Sequence, residues 1–157
     1  MLITHCSLEG ICLIEPDRFI DNRGMFYELF QEKRFLQNQI RNDFKQDNIS
    51  ISNKNVLRGL HYMKKNPQSQ LLTVIKGSIF DVVVDIRPSS CTYGKWFGTN
   101  LSEDKISQIY MPKGFAHGFY VFSDIAILHY KVSENFDPED DCGILWSDPD
   151  LNIDWPV

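Results

Sequence analysis

Several things are scarce in these 157 residues, and each scarcity removes a class of protein. No apolar run approaches the ~20 residues that cross a bilayer as a helix, so no membrane partner is expected. The opening Met1-Leu2-Ile3-Thr4-His5 lacks a basic region followed by an apolar run, so it does not read as a secretory leader. The four cysteines, Cys6, Cys12, Cys91 and Cys142, make no C-x-x-C pair, which argues against a zinc ribbon or a dithiol redox motif. A reduced, cytoplasmic protein with free thiols is the expectation. Basic excess is missing too. The net charge is -5, so general nucleic-acid binding is not expected, although a local basic pocket for phosphates is compatible with it. There is no internal repeat, low-complexity tract or linker, and the length predicts one domain over residues 1–157.

What is abundant is strand-forming residues. Hydrophobic residues make up 43% of the chain and aromatics 13%, enough for a sizeable core and biased toward strands. Strands are expected at residues 11–15, 25–30, 46–52, 56–62, 71–75, 79–86, 96–101, 108–111, 118–122 and 126–132. One short helix is expected at 32–40, where Phe35, Leu36 and Ile40 fall near helical spacing. Turn signals recur about every 8–12 residues, the spacing of an all-β sandwich or barrel, and there is no βαβ rhythm. The final stretch, with Trp146 and Trp155, reads as a turn-rich segment anchored by those two rings.

Within this frame a few residues carry chemistry. In Asn55-Val56-Leu57-Arg58-Gly59-Leu60-His61-Tyr62 an arginine and a histidine lie three apart on a strand. Side chains alternate faces at ~3.3 Å per residue, so both reach one pocket only if the strand bulges, and Gly59 is the residue that permits it. A cation that fixes an anion beside an imidazole that moves protons is a catalytic arrangement in miniature. In Ile79-Phe80-Asp81-Val82-Val83-Val84-Asp85-Ile86, Asp81 interrupts an apolar strand. It is either a solvent-facing residue or a buried carboxylate with a partner. Asp85, nearer the turn, reads as structural. Tyr130, in Ala126-Ile127-Leu128-His129-Tyr130-Lys131, reads as a core tyrosine unless a pocket opens on its face.

Pro112-Lys113-Gly114-Phe115-Ala116-His117-Gly118-Phe119 resembles the second motif of the cupin superfamily, the small jelly-roll barrels. Metal-binding cupins add a His-x-His pair. Here His61 is followed by Tyr62-Met63, so a metal-free site is expected. Taken together with Leu57-Arg58-Gly59-Leu60-His61-Tyr62, Phe80-Asp81-Val82-Val83-Val84-Asp85, Tyr130-Lys131 and the Asp148-Pro149-Asp150-Leu151-Asn152-Ile153-Asp154-Trp155-Pro156 segment, these stretches resemble the dTDP-4-dehydrorhamnose 3,5-epimerase family.

The resemblance implies an all-β, cupin-type jelly-roll (double-stranded β-helix) barrel with one short helix, homodimeric and without metal or cofactor. It implies a nucleotide-linked 4-keto-6-deoxy sugar as substrate, carried by dTDP, GDP or UDP, and inversion at C3, C5 or both. His61 matches the family's base and Tyr130 its acid. Arg23 and Glu28 match residues near the nucleotide. Gln46, Asp47 and Asn48 match a stretch lining the pocket, and Arg58 matches a diphosphate-binding arginine. His117 matches a substrate contact with Asp81 as its partner. Phe136 stands where an aromatic stacks on the base, and Asp141 where the family has a glutamate. Gln70 replaces a family lysine, with Lys64 and Lys65 nearby in sequence. After Trp155-Pro156 the sequence lacks the family's Leu-Ser-x-Lys-Asp segment, whose carboxylate pairs with the base, and another carboxylate, from this chain or a partner chain, is the expected substitute beside His61. A 3,4-ketoisomerase and a non-catalytic sugar-nucleotide-binding cupin are the alternatives.

Overall fold

Alternation along the most apolar strand sends its side chains to two different cores. Ile79 and Val83 join one cluster, Val82 and Val84 another, and all four are buried. A strand buried on both faces sits inside a layered β structure. The computed structural model describes residues 1–40, 43–105 and 107–157. In chain order the elements are β1 (Leu2–His5), β2 (Cys12–Glu15), β3 (Arg18–Asp21), β4 (Gly24–Tyr27), α1 (Glu32–Gln37), β5 (Gln46–Asn53), β6 (Leu57–Met63) and β7 (Gln70–Lys76). They continue with β8 (Ser78–Asp85), β9 (Trp96–Ser102), β10 (Gln108–Met111), β11 (Phe115–Val121), β12 (Ile125–Val132) and β13 (Asp141–Gly143).

The strands form a six-stranded sheet, ordered β1-β2-β10-β7-β12-β5, and a five-stranded sheet, ordered β13-β6-β11-β8-β9. Each pairing within them is antiparallel. The inner faces meet in a core that includes Leu72, Val74 and Leu128 from one sheet and Ile79, Val83 and Phe119 from the other. This is the jelly-roll sandwich of the cupin type. The outer face of the six-stranded sheet is covered by α1, whose Phe35 packs with Ile14, Leu71 and Tyr110. The outer face of the five-stranded sheet is covered by the C-terminal segment. There Trp155 is buried, and its ring N–H donates to the Trp146 carbonyl at 2.8 Å. Trp155 is therefore the anchor; Trp146 contributes its backbone, and its ring is 40% exposed.

Differences from the sequence reading have local causes. The helix stops at Gln37, because Gln39 takes a left-handed φ of 59° and the chain turns back to bond residue 40 to Phe35. Phe35 and Ile40 are buried as expected, but Leu36 points outward. The strand expected at 118–122 begins earlier, at Phe115, which already pairs with Asp85. Strands β1, β3 and β13 are each four residues or fewer and carry little alternation to read. The mid-strand carboxylate is settled as buried: Asp81 has no exposed surface. Asp85 is equally buried and staples the turn that follows. It accepts from Arg87 Nε at 2.9 Å, Ser90 Oγ at 2.6 Å and Thr92 Oγ1 at 2.6 Å.

Candidate active site

The bulge expected at Gly59 is present. His117 pairs with His61 and Phe119 with Arg58, so three steps along β6 match two along β11. Gly59 takes a φ of +113°. A Cβ there would stand 2.5 Å from the Gly118 Cα and 2.6 Å from the His117 carbonyl oxygen. Gly118 is constrained in return, since its Cβ would meet the Arg58 carbonyl oxygen at 2.7 Å. Two glycines thus let the strands approach where the extra residue is inserted. As a result Arg58 and His61 line the same cavity of about 570 Å³, between the two sheets.

One wall of that cavity belongs to the five-stranded sheet. His117 is 8% exposed and its Nε2–H donates to Asp81 Oδ2 at 2.7 Å. The carboxylate behind the ring fixes its orientation and leaves Nδ1 as the ring's other polar atom. His61 is open, with 62% of its side chain exposed, and its Nδ1 lies 3.4 Å from Asp141 Oδ1. That contact follows from the pairing of β13 on β6, which sets Gly143 opposite His61 and Asp141 opposite Met63. Arg58 is held along one edge: its Nε donates to Ser52 Oγ at 2.9 Å.

The facing wall comes from β5, β7 and β12, with Asn48, Gln70 and Tyr130 among its lining residues. The Tyr130 ring centre is 6.5 Å from that of His117, with the planes at 72°, so the walls meet edge to face. Burial pushes the Tyr130 phenol up to about 12, against a hydrogen bond with Ser50 that acts to lower it. Phe136 stands at the rim, 52% exposed. Its backbone N–H donates to Gln46 Oε1 at 3.0 Å, and Gln46 Nε2 donates to Asn48 Oδ1 at 2.8 Å. Gln46 therefore ties the rim aromatic to the cavity wall from behind. Among the described residues, no three His, Cys, Asp or Glu side chains group closely enough to hold a metal ion.

Comparison with known proteins fits this geometry. A family model described as dTDP-4-dehydrorhamnose 3,5-epimerase matches residues 5–157. The chain belongs to the dTDP-4-dehydrorhamnose 3,5-epimerase family. With that family it is an isomerase-class enzyme, and epimerisation of a 4-keto-6-deoxy sugar nucleotide is the activity the family carries. A dTDP-4-dehydrorhamnose 3,5-epimerase from Methanothermobacter thermautotrophicus is 49% identical over 151 residues, covering 96% of this chain and 82% of the relative. The structure of a dTDP-6-deoxy-D-glucose-3,5-epimerase from Legionella pneumophila, in complex with dTDP-4-keto-L-rhamnose, superposes with a TM-score of 0.97. It is 46% identical and covers 99% of this chain and 84% of that one. A 3'-monoepimerase from Streptomyces bikiniensis, in complex with dTDP-quinovose, superposes with a TM-score of 0.91 at 31% identity, covering 96% of this chain and 77% of that one.

Not every residue matched to the epimerase family reaches the cavity within one chain. Asn48, Arg58, His61 and Gln70 line it, as do His117, Tyr130, Phe136 and Asp141. Asp47 does not. Strand alternation turns it to the outer face, where it accepts from Lys131 at 2.7 Å and lies 3.5 Å from His129. Arg23 and Glu28 also lie elsewhere. Arg23 is at the β3–β4 hairpin, paired with Asp21 at 2.6 Å, and Glu28 follows the hairpin, paired with Arg34 at 3.1 Å. The cavity also contains Ser50, Gln68 and Phe119, which the sequence reading did not single out. For Ser50 a signal was available: in Asn48-Ile49-Ser50-Ile51-Ser52 every second residue is polar, so Ser50 and Ser52 share a face with Asn48, which the resemblance had matched to the pocket.

Proposed function

We propose that this cavity binds a nucleotide-linked 4-keto-6-deoxy sugar and inverts it at C3, C5 or both, with His61 as base and Tyr130 as acid. The observation that carries the reading is that the two side chains come from opposite sheets into one cavity. Inversion needs a proton removed from one face of a ring and returned to the other. The 4-ketone acidifies the hydrogens at C3 and C5. His61 takes one of them, the electron pair moves onto the ketone oxygen as an enolate, and Tyr130 returns a proton from the facing wall. The ketone re-forms with the centre inverted.

The other groups bind and orient. Arg58 presents its guanidinium to the diphosphate. Phe136, exposed at the rim, offers a face for the nucleobase. His117, braced by Asp81, is placed for the sugar. Asp141, 3.4 Å from His61 Nδ1, supplies a negative charge beside the imidazolium that forms when His61 takes the proton. Gln70 donates a hydrogen bond without adding charge. Among dTDP, GDP and UDP, dTDP is favoured, because the Legionella relative holds dTDP-4-keto-L-rhamnose.

The assembly proposed is a homodimer of single-domain chains. Its support is exposed apolar surface on two elements: Phe19, Ile20, Met25 and Phe26 on the hairpin are 50–75% exposed, and Ile49 and Ile51 on the edge strand β5 more than 60%. A hairpin laid across a second copy would carry Arg23 and Glu28 toward that copy's cavity. A cytoplasmic location agrees with four free cysteines. The test is proton NMR in D2O with dTDP-4-keto-6-deoxy-D-glucose and its GDP and UDP counterparts. Deuterium at C3 or C5 with an inverted product is expected. A shifted ketone without inversion would identify a ketoisomerase, and binding without exchange a sugar-nucleotide-binding protein.

A further inference from the structure

The inward face of β5 carries Asn48, Ser50 and Ser52. In the pairing with β12, Asn48 faces Tyr130 and Ser50 faces Leu128. A long side chain reaches the diagonal neighbour two residues along the paired strand. Tyr130 does so: its phenolic oxygen lies 3.1 Å from Ser50 Oγ. Both residues are half-buried, and both line the cavity. Two residues further on, Ser52 accepts from Arg58. One strand thus steadies two of the groups assigned to the substrate.

Resting on the reading of Tyr130 as the acid, we propose that Ser50 is a positioning residue for it: the Ser50 hydroxyl donates to the Tyr130 oxygen, leaves the phenolic proton free to face the sugar, and stabilises the phenolate formed when that proton is delivered. A phenol has a single proton. Were Tyr130 the donor, that proton would be engaged by Ser50 and turned from the cavity. With Ser50 donating, the phenol O–H is aimed by the position of its acceptor lone pair. In the reprotonation step the phenol O–H bond breaks and a C–H bond forms at the enolate carbon. The electron pair of the O–H bond remains on the tyrosine oxygen and the ketone re-forms; water afterwards takes the proton from His61 and returns one to the phenolate, so both groups regain their starting states. Burial makes that phenolate costly, and the serine hydrogen bond acts in the opposite direction. The sequence motif treats Ser50 as one polar residue of a strand; its distance to Tyr130 gives it a task.

The test compares wild type, Ser50→Ala, Ser50→Thr, Tyr130→Phe and the Ser50→Ala/Tyr130→Phe double variant in the D2O assay. Ser50→Ala is expected to lower kcat about tenfold, the rate equivalent of one hydrogen bond, with KM changed less than about twofold. Deuterium exchange falls less than inversion, because His61 still removes the proton. Ser50→Thr, which keeps the hydroxyl, restores both rates. Ser50→Ala adds no further loss once Tyr130 is Phe, since the two residues act as a unit. An equal loss in both backgrounds, or a Thr variant no better than Ala, overturns the proposal. A wild-type chain without exchange on every substrate refutes the epimerase reading instead. The hydroxyl pair is then read by tyrosine ¹³Cζ NMR titration, where Ser50→Ala must move the resonance missing in Tyr130→Phe to higher pH. An unmoved titration overturns the pair.

Discussion

His61 and Asp85 show how much a single carboxylate decides at the scale of the residue. Asp141 touches His61 at 3.4 Å and is the carboxylate nearest the proposed base. Asp141→Asn is expected to lower kcat about tenfold with little change in KM, because it removes the negative charge that favours the imidazolium formed at His61 while keeping the side-chain shape. Steady-state kinetics on the two proteins checks this. Asp85 has a different task. Burial raises its carboxyl, but hydrogen bonds from Arg87, Ser90 and Thr92 outweigh it and hold the group well below the usual carboxylate range. A folded-state value below the unfolded one means the stabilisation is complete above the unfolded pKa of about 3.9 and is lost as pH falls below it. Asp85→Asn therefore costs on the order of 3 kcal/mol at neutral pH. The gap between variant and wild type should narrow as pH falls below about 4, measured by denaturant titration at a series of pH values. Arg58, His61 and His117 were legible in the sequence because each sits in a motif with a glycine. Ser50 was only half legible: alternation groups it with Asn48 and Ser52, but a serine between isoleucines reads equally as the outer face of an edge strand. The Asp141 contact was also hidden. It depends on β13 pairing with β6 across 78 positions of chain, from residue 63 to 141, which no local pattern records.

At the scale of the element, the bulge in β6 places Arg58 and His61 together, and it depends on Gly59 facing Gly118. Gly59→Ala would strain a left-handed backbone and press a methyl group into backbone atoms of β11, which cannot move as a flexible side chain would. A loss of about 3 kcal/mol or more is expected, with activity falling beyond what the unfolded fraction explains. Thermal unfolding and activity measured on the same preparation test it; a variant as stable and active as wild type would show that the bulge does not position the site. The bulge was legible because a useful Arg and His three apart demand one. The interior strands were legible from their apolar alternation. The hairpin partner β3 and the short β1 and β13 were not, since four residues or fewer, mostly exposed, leave alternation nothing to act on.

At the scale of the molecule, the two sheets do separate work. The five-stranded sheet brings Arg58, His61 and His117, the six-stranded one Asn48, Gln70 and Tyr130, and the cavity lies where they face. The dimer proposed from the exposed hairpin makes its own prediction. Phe26→Glu should convert dimer to monomer in analytical ultracentrifugation and raise KM, because Arg23 and Glu28 then no longer reach a neighbouring cavity. An unchanged mass would remove the hairpin from the interface. The roles of His61 and Tyr130 are separated by deuterium exchange in D2O with His61→Ala and Tyr130→Phe beside wild type, each checked for folding. A base on one wall and an acid on the other predict no exchange at C3 or C5 for His61→Ala. Tyr130→Phe should keep measurable exchange while inversion slows. Wild-type exchange in His61→Ala would contradict the account.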